Sequence, residues 1–192
     1  MSQKLDFKLP INPRYNTRSI SWSDLLMIEQ DAEAWLKGKR LKTNRYMEYG
    51  TSIHAEIKHR KHDVPTGTAP EQIYTVKISD GKIKFHIVGK PDDTDDDTIY
   101  EYKTGTTLWG KKQAETHGQL FTYALLKWKH SGKIPKRALL ISLKTAVDED
   151  VGVYLTGDRV IHEIPITLKD VLLIQARFIN AYKKVSTLGV SL

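Results

Sequence analysis

Cysteine is absent from all 192 residues. That excludes a disulfide framework, a thiolate zinc site, a cysteine-ligated iron–sulfur cluster and a cysteine nucleophile. No apolar run approaches the ~20 residues that a membrane helix needs. The opening residues, MSQKLDFKLPINPRYNTRS, lack the apolar core of a secretory signal. A cytoplasmic location away from membranes is therefore the expectation. A Gly-rich phosphate loop is missing too, as is any internal repeat.

What is present fits one ordinary domain. The chain is 40% hydrophobic and 28% charged, enough apolar material for a core. Its formal net charge of +7 suits a polyanionic partner, of which nucleic acid is the commonest.

Apolar spacing predicts an amphipathic helix over 21–38, capped by Ser21 or Ser23, and a second over 44–61 with Met47, Gly50, Ile53, His54 and Ile57 near one face. The segment VPTGTAP ends it. The period then changes to two. Residues 73–78 and 83–88 read as strands joined at Asp80-Gly81, and 98–104 as a third. Residues 111–129 read as a helix and 138–145 as a buried strand. A hairpin over 151–155 and 159–166 turns at Thr156-Gly157-Asp158, and a last helix starts near Thr167, capped with Asp170. This order describes a mixed α/β domain.

One stretch concentrates negative charge in a basic chain: VGKPDDTDDDTIYEYKTG, residues 88–105. On a strand, Glu101 and Lys103 share one face, while Tyr100, Tyr102 and Thr104 share the other. The preceding turn brings Asp92 beside Glu101. Two adjacent carboxylates repel unless a cation or proton intervenes. Oxygen ligands suit Mg²⁺ or Mn²⁺, and a neighbouring lysine can orient water or stabilise phosphoryl charge. Taken alone, the stretch equally describes a solvated acidic turn before an edge strand. A calcium EF-hand is excluded, since no glycine interrupts the run and position twelve from Asp92 is Lys103.

The surrounding residues add three more motifs: Gly50 and His54 in YGTSIHAEI, Gly89 and Asp92 in GKPD, and Gln119 and Tyr123 in HGQLFTYALL. With Glu101-x-Lys103 they form an ordered set that resembles the RecB-type branch of the PD-(D/E)xK nuclease superfamily. The resemblance covers roughly residues 19–127 and fits the remainder.

It implies a single restriction-endonuclease-like domain over 1–192, with a central mixed β-sheet flanked by helices. It also implies a Mg²⁺- or Mn²⁺-dependent deoxyribonuclease without an iron–sulfur cluster, acting on single strands or DNA ends. By the same resemblance, Asp92, Glu101 and Lys103 are the catalytic residues. His54, Asp92, Glu101 and the carbonyl of Tyr102 hold the metal, and Gln119 and Tyr123 hold the strand and support the site. A nuclease-fold protein that binds DNA or a protein without cutting is the alternative.

Three readings stay open. Asp93 competes with Asp92, since a one-residue shift changes the face. Lys111 and Lys112, beside Trp109, can bind DNA or be solvated. The same holds for the basic run KHRKH, 58–62.

Overall fold

The structure is a computed structural model that describes residues 7–40, 53, 57, 63–150 and 152–189. Its elements are β1 (Ser19–Ile20), α1 (Trp22–Leu36), β2 (Tyr74–Asp80), β3 (Ile83–Gly89), β4 (Asp93–Thr94) and β5 (Thr98–Gly105), followed by α2 (Lys111–Glu115), α3 (Gly118–Ser131), β6 (Arg137–Asp148), β7 (Gly152–Pro165) and α4 (Leu168–Gly189). The expected mixed α/β class holds. Among the described residues the strands form two hydrogen-bonded sheets flanked by helices, ordered β1-β3-β2 and β4-β5-β6-β7, consistent with a restriction-endonuclease-like domain. Both are mixed: β1 runs parallel to β3 and β5 to β6, and the other pairs are antiparallel. The break falls where β3 ends at Gly89 and the chain bends into the acidic stretch.

The capping residues act as the sequence suggests. Ser21 and Asp24 form a reciprocal capping box at the start of α1. Asp24 is buried and also accepts the indole N–H of Trp35 at 2.8 Å, tying the helix start to its last turn. Thr167 and Asp170 repeat the device before α4, with Thr167 N–H on Asp170 Oδ2 at 2.9 Å. The β2–β3 turn opens with Gly81 at φ 57°, a left-handed conformation that glycine adopts without strain.

Two expected elements come out differently. The helix over 111–129 is broken at Thr116–His117, and α3 begins anew at Gly118. A Cβ at Gly118 would lie 2.3 Å from Trp22 Cη2, so only glycine fits where α1 approaches the start of α3. The second difference is at Thr156-Gly157-Asp158, which is an in-strand bulge opposite Lys144 and not a turn. Leu143 pairs with Arg159 and Thr145 with Leu155. Gly157 takes φ 89° there, while the real turn lies at Glu149–Asp150. The expected three strands are therefore two long ones.

Helices α1, α3 and α4 share one apolar core with the sheets, including Leu25, Ile28, Trp35, Phe85, Leu120 and Phe178. The far face of the four-stranded sheet is covered separately. Ile53 and Ile57, both helical, pack with Tyr100, Tyr102, Leu139, Ile141 and Leu143. Strand β5 is thus buried on both sides, which is how Glu101 comes to be 2% exposed. Among the described residues no helix is long and apolar enough to cross a membrane.

Candidate active site

Alternation along β5 sends Tyr100 and Tyr102 into the second core and turns Glu101 and Lys103 toward α3. The short β4 pairs Asp93 with Tyr100 and Thr94 with Ile99, and extending that register sets Asp92 across from Glu101. Asp92 Oδ2 accepts the backbone N–H of Tyr102 at 2.8 Å.

Asp93 goes elsewhere. Its carboxylate accepts N–H groups from Gly67 and Thr94, both at 2.7 Å. Burial pushes its pKa up, against the pull of those backbone donors. Of the two competing aspartates, Asp92 therefore stands beside Glu101, while Asp93 anchors the 67–69 loop.

Lys103 links the strand to the helix. Its Nζ lies 2.6 Å from Glu101 Oε1 and donates to Gln119 Oε1 at 2.9 Å. Gln119 Nε2 then donates to the Tyr123 hydroxyl at 2.6 Å. The four residues form one chain, Glu101–Lys103–Gln119–Tyr123, because Gln119 and Tyr123 are one helical turn apart. Tyr123 is buried, and its phenol pKa is raised well above the ordinary value, first by burial and then by the charges of Glu101 and Asp92. It stays a neutral hydroxyl at the base of the site.

Sequence reasoning passed over His117. Its Nε2 lies 3.0 Å from Gln119 Oε1, an acceptor, so this nitrogen carries the proton. Its ring meets Trp109 edge-on at 4.8 Å and Trp22 at 6.3 Å. Trp109 is itself fixed: its N–H reaches Ser142 Oγ at 3.0 Å and its carbonyl lies 2.7 Å from His162 Nε2. Burial, and then the charge of Lys103, lower the His117 pKa to about 4, so the ring is neutral at physiological pH. The available signal was the position of His117, two residues before Gln119 and next to a glycine that interrupts a helical pattern.

That geometry has a measurable consequence for stability. Below about pH 6.5 the unfolded chain protonates this histidine while the native ring resists until about pH 4, so stability is lost as pH falls through that window. The fall from the usual 6.5 to about 4 corresponds to about 3 kcal/mol at most, before allowance for the partial exposure of the ring. In His117→Gln, the melting temperature is expected to fall less between pH 7 and pH 4.5 than in the parent chain. Parallel declines would contradict the buried neutral ring.

The remaining candidates are scattered. Lys111 and Lys112 are exposed on α2, and Lys111 pairs with Glu115 at 3.8 Å. Gly50, His54 and 58–62 lie outside the described residues. Among the described residues no group of three or more His, Cys, Asp or Glu could hold a metal. The site offers the carboxylates of Asp92 and Glu101, and in this structure an ammonium already sits against Glu101. An all-oxygen pair of this kind, compensated by a cation, fits a hard divalent ion.

A family model of the PD-(D/E)XK nuclease superfamily matches residues 17–185, and the chain belongs to that superfamily. It is a nuclease by family, of a class that typically uses divalent metal ions. Two solved structures share the fold. The phage-related exonuclease from Haemophilus somnus 129PT is 13% identical with TM-score 0.57, covering 95% of this chain and 90% of that one. SSO0001 is 15% identical with TM-score 0.56, covering 87% and 76% respectively. A search of curated protein sequences found no match.

Proposed function

We propose that the protein is a Mg²⁺- or Mn²⁺-dependent deoxyribonuclease that works as an exonuclease on single strands or DNA ends. The observation that carries this reading is the Glu101–Lys103–Gln119–Tyr123 chain with Asp92 bonded to the next backbone N–H. The exonuclease mode also draws on the name of the phage-related exonuclease that shares the fold. Asp92, Glu101 and the Tyr102 carbonyl would hold the ion, with His54 as the further ligand. When bound, such an ion polarises the phosphodiester and acidifies water.

The chain's own residues do the rest. Lys103 orients the attacking water, because its Nζ is held from two sides and has little freedom to swing away. Gln119 fixes that ammonium and, together with exposed Lys111 and Lys112, lies where a strand would pass. Tyr123 and His117 hold the Gln119 amide in one orientation.

The test is incubation of 5′- and 3′-labelled single- and double-stranded oligonucleotides with Mg²⁺, Mn²⁺ or EDTA. Stepwise shortening from one end, abolished by EDTA, is the expected result. Internal cuts would overturn the exonuclease mode. Absence of cleavage with either metal would leave a nuclease-fold protein that binds without cutting.

A further inference from the structure

We infer that the open face of the β2–β3 hairpin is a phosphate-binding strip that carries the nucleic-acid chain beside the site, an inference that rests on the nuclease reading above. The two strands alternate cleanly. Tyr74, Val76, Ile78, Phe85 and Ile87 enter the core, while Thr75, Lys77, Ser79, Lys84 and His86 stand exposed on the other face. The register sets Lys77 directly opposite His86 and Ser79 opposite Lys84, and Lys82 adds a further charge in the turn.

Folding alone does not account for this arrangement. Basic groups opposed across a strand pair gain nothing for the sheet and repel when both are charged. Lysines do protect exposed sheet edges, and β2 is an edge. Strand β3, however, is covered at His86 by Ser19 of β1, so His86 guards no edge, although β1 does not extend as far as Lys84.

Many basic side chains elsewhere pair with carboxylates; Lys112, Lys127, Lys129 and Lys169 do not among the described residues, so what marks the strip is several such groups gathered on one sheet face. Lys90, Lys133, Lys136, Lys144, Arg177 and Lys183 each have a carboxylate within 4 Å. Among the described residues Lys77, Lys82, Lys84 and His86 have no ion-pair partner. The nearest acidic side chain along the hairpin, Asp80, belongs to the other face, where it meets Lys183 at 3.4 Å.

The strip lies near the site along the chain. Strand β3 ends at Gly89, three residues before Asp92. The face closes in that direction, since Val88 and Ser19 are fully buried, and it opens from His86 outward. The six steps from His86 to Asp92 span at most about 20 Å at the rise of an extended chain. That is the length of several nucleotides. Ammonium groups flanked by the hydroxyls of Thr75 and Ser79 match phosphate oxygens, which take most protein–DNA hydrogen bonds and carry no sequence information.

The test uses Lys77→Gln/Lys84→Gln and the reversal Lys77→Glu/Lys84→Glu. Both change only exposed side chains, and unchanged circular dichroism and melting confirm the fold. Binding of a labelled 20-nucleotide oligothymidylate is measured in EDTA across a series of salt concentrations. The slope of log affinity against log salt is expected to shrink by about 0.7 per lost single-strand phosphate contact, so by about 1.4 in the glutamine pair, and further in the reversal. Hydrolysis of bis(p-nitrophenyl) phosphate with Mn²⁺, a substrate too small to reach the strip, should stay at the parent rate. A parent that cuts the oligonucleotide while both variants keep its slope overturns the strip and leaves the nuclease reading standing. A parent that neither binds nor cuts any nucleic acid overturns both.

Discussion

Lys103→Ala is expected to lower turnover by at least ~10²-fold while changing oligonucleotide affinity much less. The substitution removes the ammonium that spans Glu101 and Gln119 but leaves the carboxylates of Asp92 and Glu101 in place. It therefore separates the chemical step from strand binding, which would show as a fall in kcat with little change in KM. A second readout follows from burial. Glu101 is 2% exposed, and Lys103 sits on it at 2.6 Å. Removing one partner of a buried ion pair costs about 3 kcal/mol or more. In EDTA the variant should thus melt several degrees below the parent. With Mn²⁺ that gap should narrow if the proposed site holds, because a bound divalent ion would take over the neutralisation of Glu101. A variant that cuts at the parent rate, in a preparation free of contaminating nuclease, would remove Lys103 from the chemistry.

The residues of this site were legible in the sequence to different degrees, for physical reasons. Strict alternation told which face of β5 carries Glu101 and Lys103, since a strand has only two faces. The i, i+4 spacing told that Gln119 and Tyr123 share a helix face, and they meet at 2.6 Å. The choice between Asp92 and Asp93 was not legible. It depends on Gly67, 26 residues upstream, whose N–H claims Asp93. The break before α3 was hidden as well, because nothing in residues 111–129 except Gly118 opposes a continuous helix. What requires glycine at the start of α3 is Trp22 on another element, nearly a hundred residues away. That break puts His117 in an extended conformation, φ −75° and ψ 94°, and lets its ring reach Gln119. The bulge at Thr156-Gly157-Asp158 misled for a different reason. A left-handed glycine flanked by Thr and Asp is the chemistry of a tight turn and of a bulge alike, and only the facing strand decides between them.

Gly67→Ala is expected to be among the most damaging single changes outside the site itself. A Cβ at Gly67 would lie 2.5 Å from both the carbonyl carbon and the oxygen of Thr94, and 2.8 Å from Asp93 Oδ1. The first two are backbone atoms of β4 and cannot swing aside, so the loop must move. Moving it loosens Gly67 N–H from Asp93 and the N–H groups of Thr68 and Ala69 from the Thr94 carbonyl, at 2.9 and 3.0 Å. Asp93 is 5% exposed, and these donors offset the burial that raises its pKa. Steric strain together with the weakened bonds to a buried carboxylate amounts to about 3 kcal/mol or more. For a chain of this size that is a fall of about 6–12 °C in melting temperature. The effect on activity follows from position. Strand β4 is the short anchor that sets Asp92 across from Glu101, and a misplacement of about 1 Å can cost 10²-fold in rate. Cleavage by Gly67→Ala, assayed well below its melting temperature, should therefore drop steeply and should not be restored by raising Mn²⁺. Gly67→Ala protein with the parent's stability and rate would show that the loop yields freely and that Asp92 is positioned by Tyr102 N–H alone.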